Sequence, residues 1–162
     1  MQAWKEEMAL KIKECDSDGF KIVYIDETMF TRKAIHTEEY CLPSQNIEIQ
    51  QKALNETTKA LLMGISFEDG LEHSQIYEKS VDIPKFLDYL ENLKKANKGQ
   101  RIAVFMDNLS VHTSKISKEK MNDLGMRYIY NVPYSPDFNP IEMCFSVLKN
   151  TFKKLRMNNL VT

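Results

Sequence analysis

The chain is short of cysteine, of net charge and of long apolar runs, and each shortage narrows what it can be. Its three cysteines, Cys15, Cys41 and Cys144, are odd in number, far apart and in no paired spacing. That argues against a disulfide framework and a zinc site, and for a reducing compartment. No stretch is apolar for long enough to span a bilayer, and none reads as a signal peptide. A soluble, intracellular protein is expected, nuclear in a eukaryotic host. There is no internal repeat and no low-complexity segment. A formal net charge of −1 lacks the basic balance of a free-standing nucleic-acid binder. The distribution is more telling: residues 107–156 hold eight Lys/Arg against five Asp/Glu, whereas residues 28–100 hold nine against eleven.

What is present is enough chain for one domain: 162 residues can bury about two-thirds of their unfolded surface. Residues 2–15 have helical composition, with Trp4, Met8 and Ile12 at four-residue spacing and Asp16 to Gly19 closing them. Residues 1–19 are thus a leading helix or linker remnant, and 20–162 the domain proper. Phe20 to Ile25 is aromatic and β-branched and stops at Asp26-Glu27, as a central strand would. Thr28 to Pro43 is mixed, with room for a second, exposed strand, and 44–58 read as a loop. Lys59 to Phe67 is another strand, turned at Glu68-Asp69-Gly70 into a short one around Ser74 to Tyr77, which makes an antiparallel meander.

Ile83 to Ala96 has a helical period and ends in Asn97-Lys98-Gly99, as a C-cap should. Ile102 to Met106 is a continuous apolar run ending at Asp107, which suits a strand buried on both faces. A helix over Ser114 to Leu124, stopped by Gly125, and a strand over Met126 to Val132 follow. The last helix starts at Pro140 with the apolar stripe Ile141, Phe145, Leu148, Phe152 and Leu155, spaced for packing on a sheet. This order implies an α/β domain with a mixed sheet.

Three acids stand out. Asp26 and Asp107 each follow an apolar strand, and Glu142 comes after Asp107 with 34 residues between them, in the first turn of a helix entered through Tyr134-Ser135-Pro136-Asp137-Phe138-Asn139-Pro140. Two such strands side by side place both aspartates on the sheet edge where open α/β sheets bind ligands. Carboxylates brought together raise each other's pKa, and a divalent cation compensates them. Oxygen donors without a Cys or His cluster favour Mg²⁺, with Mn²⁺ as substitute, over zinc. Two ions about 3.5–4 Å apart would serve in-line displacement at phosphorus. Blander readings stand beside these. Either aspartate can be a turn residue after a strand, and Asn139, Pro140 and Glu142 make a good capping box.

Ile25-Asp26-Glu27-Thr28, then Phe105-Met106-Asp107-Asn108 with His112 five residues past the aspartate, then Tyr134 to Glu142, resemble the three signature blocks of mariner-type cut-and-paste DNA transposases. The resemblance spans Phe20 to Lys154 and includes the 34-residue gap. It implies an RNase H-like fold, a mixed five-stranded sheet flanked by helices. It also implies a two-metal DDE site with Asp26, Asp107 and Glu142 as catalytic ligands, DNA as partner with a homodimer as a second expectation, and no membrane. Two departures are visible. Phe145 stands where the family usually has tryptophan, and the helix-turn-helix domains that grip transposon ends would lie before residue 1.

Asn108 and His112 resemble the family's residues after the second aspartate. His112 has two readings, a contact to a phosphate or a ligand carboxylate, or a loop cap. Asp137 reads as a turn-stabilising residue, and Glu27 as structural. Independently of any resemblance, Lys149, Lys153 and Arg156 fall within roughly 40° of Glu142 around the helix axis. Such a basic stripe can carry DNA phosphates toward the metals, or it can be a solvated face near a helix C-terminus. Besides a transposase, a nuclease of the same fold without strand transfer and a host-adopted, non-cleaving remnant that binds nucleic acid or a partner protein remain open.

Overall fold

The computed structural model describes residues 2–31 and 58–160, the last five by backbone alone. Helix α1 (Gln2–Ser17) leads into strand β1 (Lys21–Phe30) through Gly19, whose φ of 71° is the left-handed turn that glycine adopts without cost. Strands β2 (Lys59–Ser66) and β3 (Gly70–Glu78) complete an antiparallel meander. Helix α2 (Ile83–Ala96) follows, then β4 (Ile102–Met106), the short α3 (Ser110–Thr113), α4 (Lys115–Asp123), β5 (Arg127–Tyr130), a 3-10 turn at Pro136–Phe138 and α5 (Ile141–Leu160). The sheet order is β3-β2-β1-β4-β5, with β4 parallel to both β1 and β5. This is the expected mixed five-stranded sheet. Among the described residues, no helix is long and apolar enough to cross a membrane.

Strand parity decides which side chains face which layer. Val23 and Ile25 of β1 and Ile102, Val104 and Met106 of β4 join Phe86, Leu90 and Leu93 of α2 in one core. The alternate residues, Tyr24 of β1 and Ala103 and Phe105 of β4, pack with Cys15, Met8 and Ile12 of α1 on the other face. Continuing that alternation puts Asp26 and Asp107 together on the second face and Glu27 on the first. Gly64, opposite Ile25 on β2, leaves no room for a side chain, because a Cβ there would meet the Tyr89 hydroxyl at 2.8 Å.

Four expectations need correction. β1 does not stop at Asp26 but runs to Phe30, because pairing with β2 continues there, Asp26 lying opposite Met63. Thr28 to Phe30 therefore belong to β1; the remainder of the expected strand and loop over 32–57 lies outside the described residues. β3 is nine residues rather than a short strand around Ser74–Tyr77. The helix expected from Ser114 is preceded by α3, which carries His112. The apolar stripe of α5 is only half covered: Ile141 and Phe145 are buried, while Leu148, Phe152 and Leu155 are exposed, Phe152 meeting the Phe30 ring at 5.0 Å. Helical period fixes which residues share a face, but cover depends on what stands opposite.

Candidate active site

The parallel register of β1 and β4 ends at Tyr24 opposite Phe105, so Asp26, within β1, and Asp107, just past the end of β4, each come two residues after that last pair. α5 supplies the third acid. Its first residue, Ile141, is fully buried with Phe145 against Met63, the β2 partner of Asp26, and this anchors the helix turn that carries Glu142 beside β1. Asp26, Asp107 and Glu142 all line one cavity of about 460 Å³, together with Asn108, Asn131, Tyr134 and Asn139. A larger depression of about 670 Å³ lies between α1 and β5. It is bordered by the Arg127–Asp18 ion pair, and none of the three acids lines it.

Each aspartate is tied back by one oxygen. Asp26 Oδ1 accepts the Glu27 amide at 2.7 Å. Asp107 Oδ1 accepts from His112 Nδ1 at 2.7 Å and from the Leu109 amide at 3.3 Å. His112 is itself buried, its ring 4.7 Å from that of Phe86 and its carbonyl accepting from the Tyr130 hydroxyl at 3.1 Å. A buried imidazole packed against Phe86, on a backbone held by Tyr130, orients the Asp107 carboxylate. The Oδ2 atoms of both aspartates accept no hydrogen bond among the described residues.

Burial pushes the Asp26 carboxyl up to about 6. The Glu27 amide opposes that shift, the Asp107 and Glu142 carboxylates add to it, and His112 lowers it. An acid that is costly to ionise, flanked by two more acids, is one for which a cation is a natural partner. Free carboxylate oxygens at a strand edge suit a hard divalent ion. Even so, among the described residues no three acid, imidazole or thiol groups converge closely enough to enclose a metal. The acids share a cavity without forming a closed cage.

Glu27 faces the opposite side, where burial raises its pKa and the nearby Val81 amide opposes that rise. The capping box is not formed. Asn139 Oδ1 accepts the Ile141 amide at 3.4 Å, but the Asn139 amide donates to the Pro136 carbonyl at 2.8 Å, leaving Glu142 no reciprocal bond to make. Asp137 lies exposed in the 3-10 turn. Lys149 and Lys153 are exposed on α5, and the side chain of Arg156 lies outside the described residues.

Asn131 is the residue that sequence reasoning missed. Buried at the end of β5, it donates its own amide to the Met106 carbonyl at 2.8 Å and accepts from Asn108 Nδ2 on its carbonyl at 2.6 Å. Its side chain accepts the Val132 amide and donates to the Ser135 carbonyl, both at 2.8 Å. The one available signal was an asparagine opening a proline-rich turn.

No curated protein matches this sequence. In fold the chain is similar to the Mos1 mariner transposase catalytic domain, at a TM-score of 0.65 and 16% identity over 92% of this chain and 69% of that one. It is likewise similar to the Mos1 transposase paired-end complex with left transposon end, at 0.67 and 16% over 91% and 47%. With the Mos1 Strand Transfer Complex the values are 0.66 and 20% over 90% and 45%. The chain thus spans about half the length of the protein chains in those two complexes. At these identities the likeness is one of fold, the RNase H-like architecture. Residues 21–160 match the family model described as DDE superfamily endonuclease, which takes in β1 through α5 and all three acids. The chain belongs to the DDE superfamily endonucleases.

Proposed function

We propose that this chain is the catalytic part of a mariner-type cut-and-paste DNA transposase, with Asp26, Asp107 and Glu142 holding two divalent cations, Mg²⁺ or Mn²⁺ as substitute. The observation that carries the reading is the lining of one cavity by all three acids in a chain whose family is that of DDE endonucleases. Structures of the Mos1 catalytic domain with raltegravir are described with Mg and with Mn. When bound, such ions supply Lewis-acid stabilisation of the attacking and leaving oxygens at phosphorus. The protein's own part is to orient the donors. His112 aligns Asp107, the Glu27 amide aligns Asp26, and Glu142 brings a third carboxylate to the same cavity on a side chain with three torsions.

Cleavage then proceeds by water attack on a phosphodiester, breaking a P–O bond to leave a 3′ hydroxyl and a 5′ phosphate, and joining by attack of that hydroxyl on a second phosphodiester, which forms a new P–O bond and releases the 3′ hydroxyl of the attacked strand. The Mos1 Strand Transfer Complex, a relative in fold, favours this over a nuclease that stops after the first step. The test is incubation with nicked and blunt duplexes in Mg²⁺. Metal-dependent strand breakage together with joined products is expected. Breakage without joining would leave the nuclease reading, and neither would leave the non-cleaving one.

Exposed Lys149 and Lys153 lead away from Glu142 along α5 and are proposed to meet phosphates. Phosphate contacts carry no base information. Replacing both lysines by glutamate should therefore weaken binding to all duplexes alike and flatten its salt dependence, as read by fluorescence anisotropy across a salt series. Loss confined to one DNA sequence would point to a base-reading surface instead.

A further inference from the structure

Tyr134 is the most exposed large hydrophobic residue among the described residues, with its ring wholly in solvent, and it lies on the lining of the cavity that holds the three acids. Its backbone is at φ 58°, in the left-handed region that a bulky non-glycine residue rarely occupies. Lys79 is the one other described non-glycine residue at positive φ. A fully hydrated aromatic in a strained backbone gains nothing for the fold, since glycine or asparagine would hold the same turn at lower cost.

The loop is nevertheless held firmly. Asn131 ties the Ser135 carbonyl and the Val132 amide on either side of Tyr134 to the end of β5, and through Met106 and Asn108 to the strand end that carries Asp107. Pro133 and Pro136 stiffen the same segment by fixing φ. The backbone that carries the ring is therefore fixed relative to the catalytic acids.

We infer that Tyr134 is a stacking platform for a DNA base that has left its pair beside the scissile phosphate. This rests on the DNA-cleaving reading above. A duplex whose bases stay stacked offers a ring no face at the position of the cut, whereas an unpaired base offers its whole π-face, of any sequence. A held backbone matters because only the two side-chain torsions of Tyr134 are left to be ordered on binding.

The test uses the chain itself and two short duplexes, one with a single unpaired adenine next to the cleavage position and one with an abasic nucleotide in its place. Affinity is measured by anisotropy in Ca²⁺ and cleavage in Mg²⁺. Tyr134→Ala should lose about tenfold or more in affinity for the first duplex and little for the second. Tyr134→Phe and Tyr134→Trp should retain the parent's preference for the unpaired base. Tyr134→Gly, which relieves the backbone, should melt at or above the parent temperature yet bind as Tyr134→Ala does. Equal losses on both duplexes, or a parent that binds the two alike, would overturn the stacking role and leave the DNA reading intact. A parent that binds neither duplex would overturn both.

Discussion

Glu142→Gln is expected to leave the protein folded and abolish its cleavage of DNA. The glutamine keeps the shape and loses the charge. Because the Asn139 amide is already bonded to the Pro136 carbonyl, Glu142 contributes to α5 only through its charge near the helix N-terminus. That interaction is worth about 0.3–1 kcal/mol, so the melting temperature should fall by no more than a few degrees. As a metal ligand, by contrast, its charge is part of what positions ions that supply several kcal/mol to the transition state, at about 1.4 kcal/mol per tenfold in rate. Cleavage in Mg²⁺ should drop by about a hundredfold or more. Thermal melting with and without Mg²⁺, alongside single-turnover cleavage, reads both effects. A variant that melts and cuts like the parent would remove Glu142 from the active site.

Asp26→Asn should raise stability in neutral, metal-free buffer and at the same time remove stabilisation by Mg²⁺. With the Asp26 carboxyl raised from 3.8 to about 6, the folded state holds this proton more tightly than the unfolded one. Stability from this group is therefore fully present below pH 3.8 and falls as pH rises through about 6. Ionising Asp26 costs the folded state up to about 3 kcal/mol at pH 8, which the neutral asparagine avoids. The variant should accordingly melt several degrees above the parent at pH 8 without metal, and close to it at pH 4. Added Mg²⁺ should stabilise the parent through its affinity for the native state and leave the variant nearly unmoved. A variant that melts below the parent at pH 8 and still responds to Mg²⁺ would exclude Asp26 as a ligand.

The elements legible in the residues were those whose signals are local. α2 begins and ends where its period and its Asn97–Gly99 cap place it, and β4 matches the apolar run Ile102–Met106. The three acids stood out because two of them end apolar runs and the third follows a proline-rich turn. Other features depended on partners distant in sequence. β1 extends past Asp26 because β2 pairs with it there, and no residue within β1 announces that pairing. The outer half of the α5 stripe is exposed because burial belongs to what faces a helix and not to its period.

The same division runs through the site. His112 offered two roles on paper; its ring lies against Phe86 with Nδ1 donating to Asp107, while the Tyr130 hydroxyl holds its backbone carbonyl. Asn131 looked like one more turn residue, yet its four hydrogen bonds join the Asp107 strand end to the Tyr134 loop, and the two that reach Met106 and Asn108 cross a chain separation that no spacing rule reaches. Residue type and local period thus established the acids, their order and the class of sheet. Only the register of β1 on β4, together with the burial of Ile141 against Met63, brought those acids to one cavity, because side-chain direction alternates along each strand and proximity between strands is set by pairing.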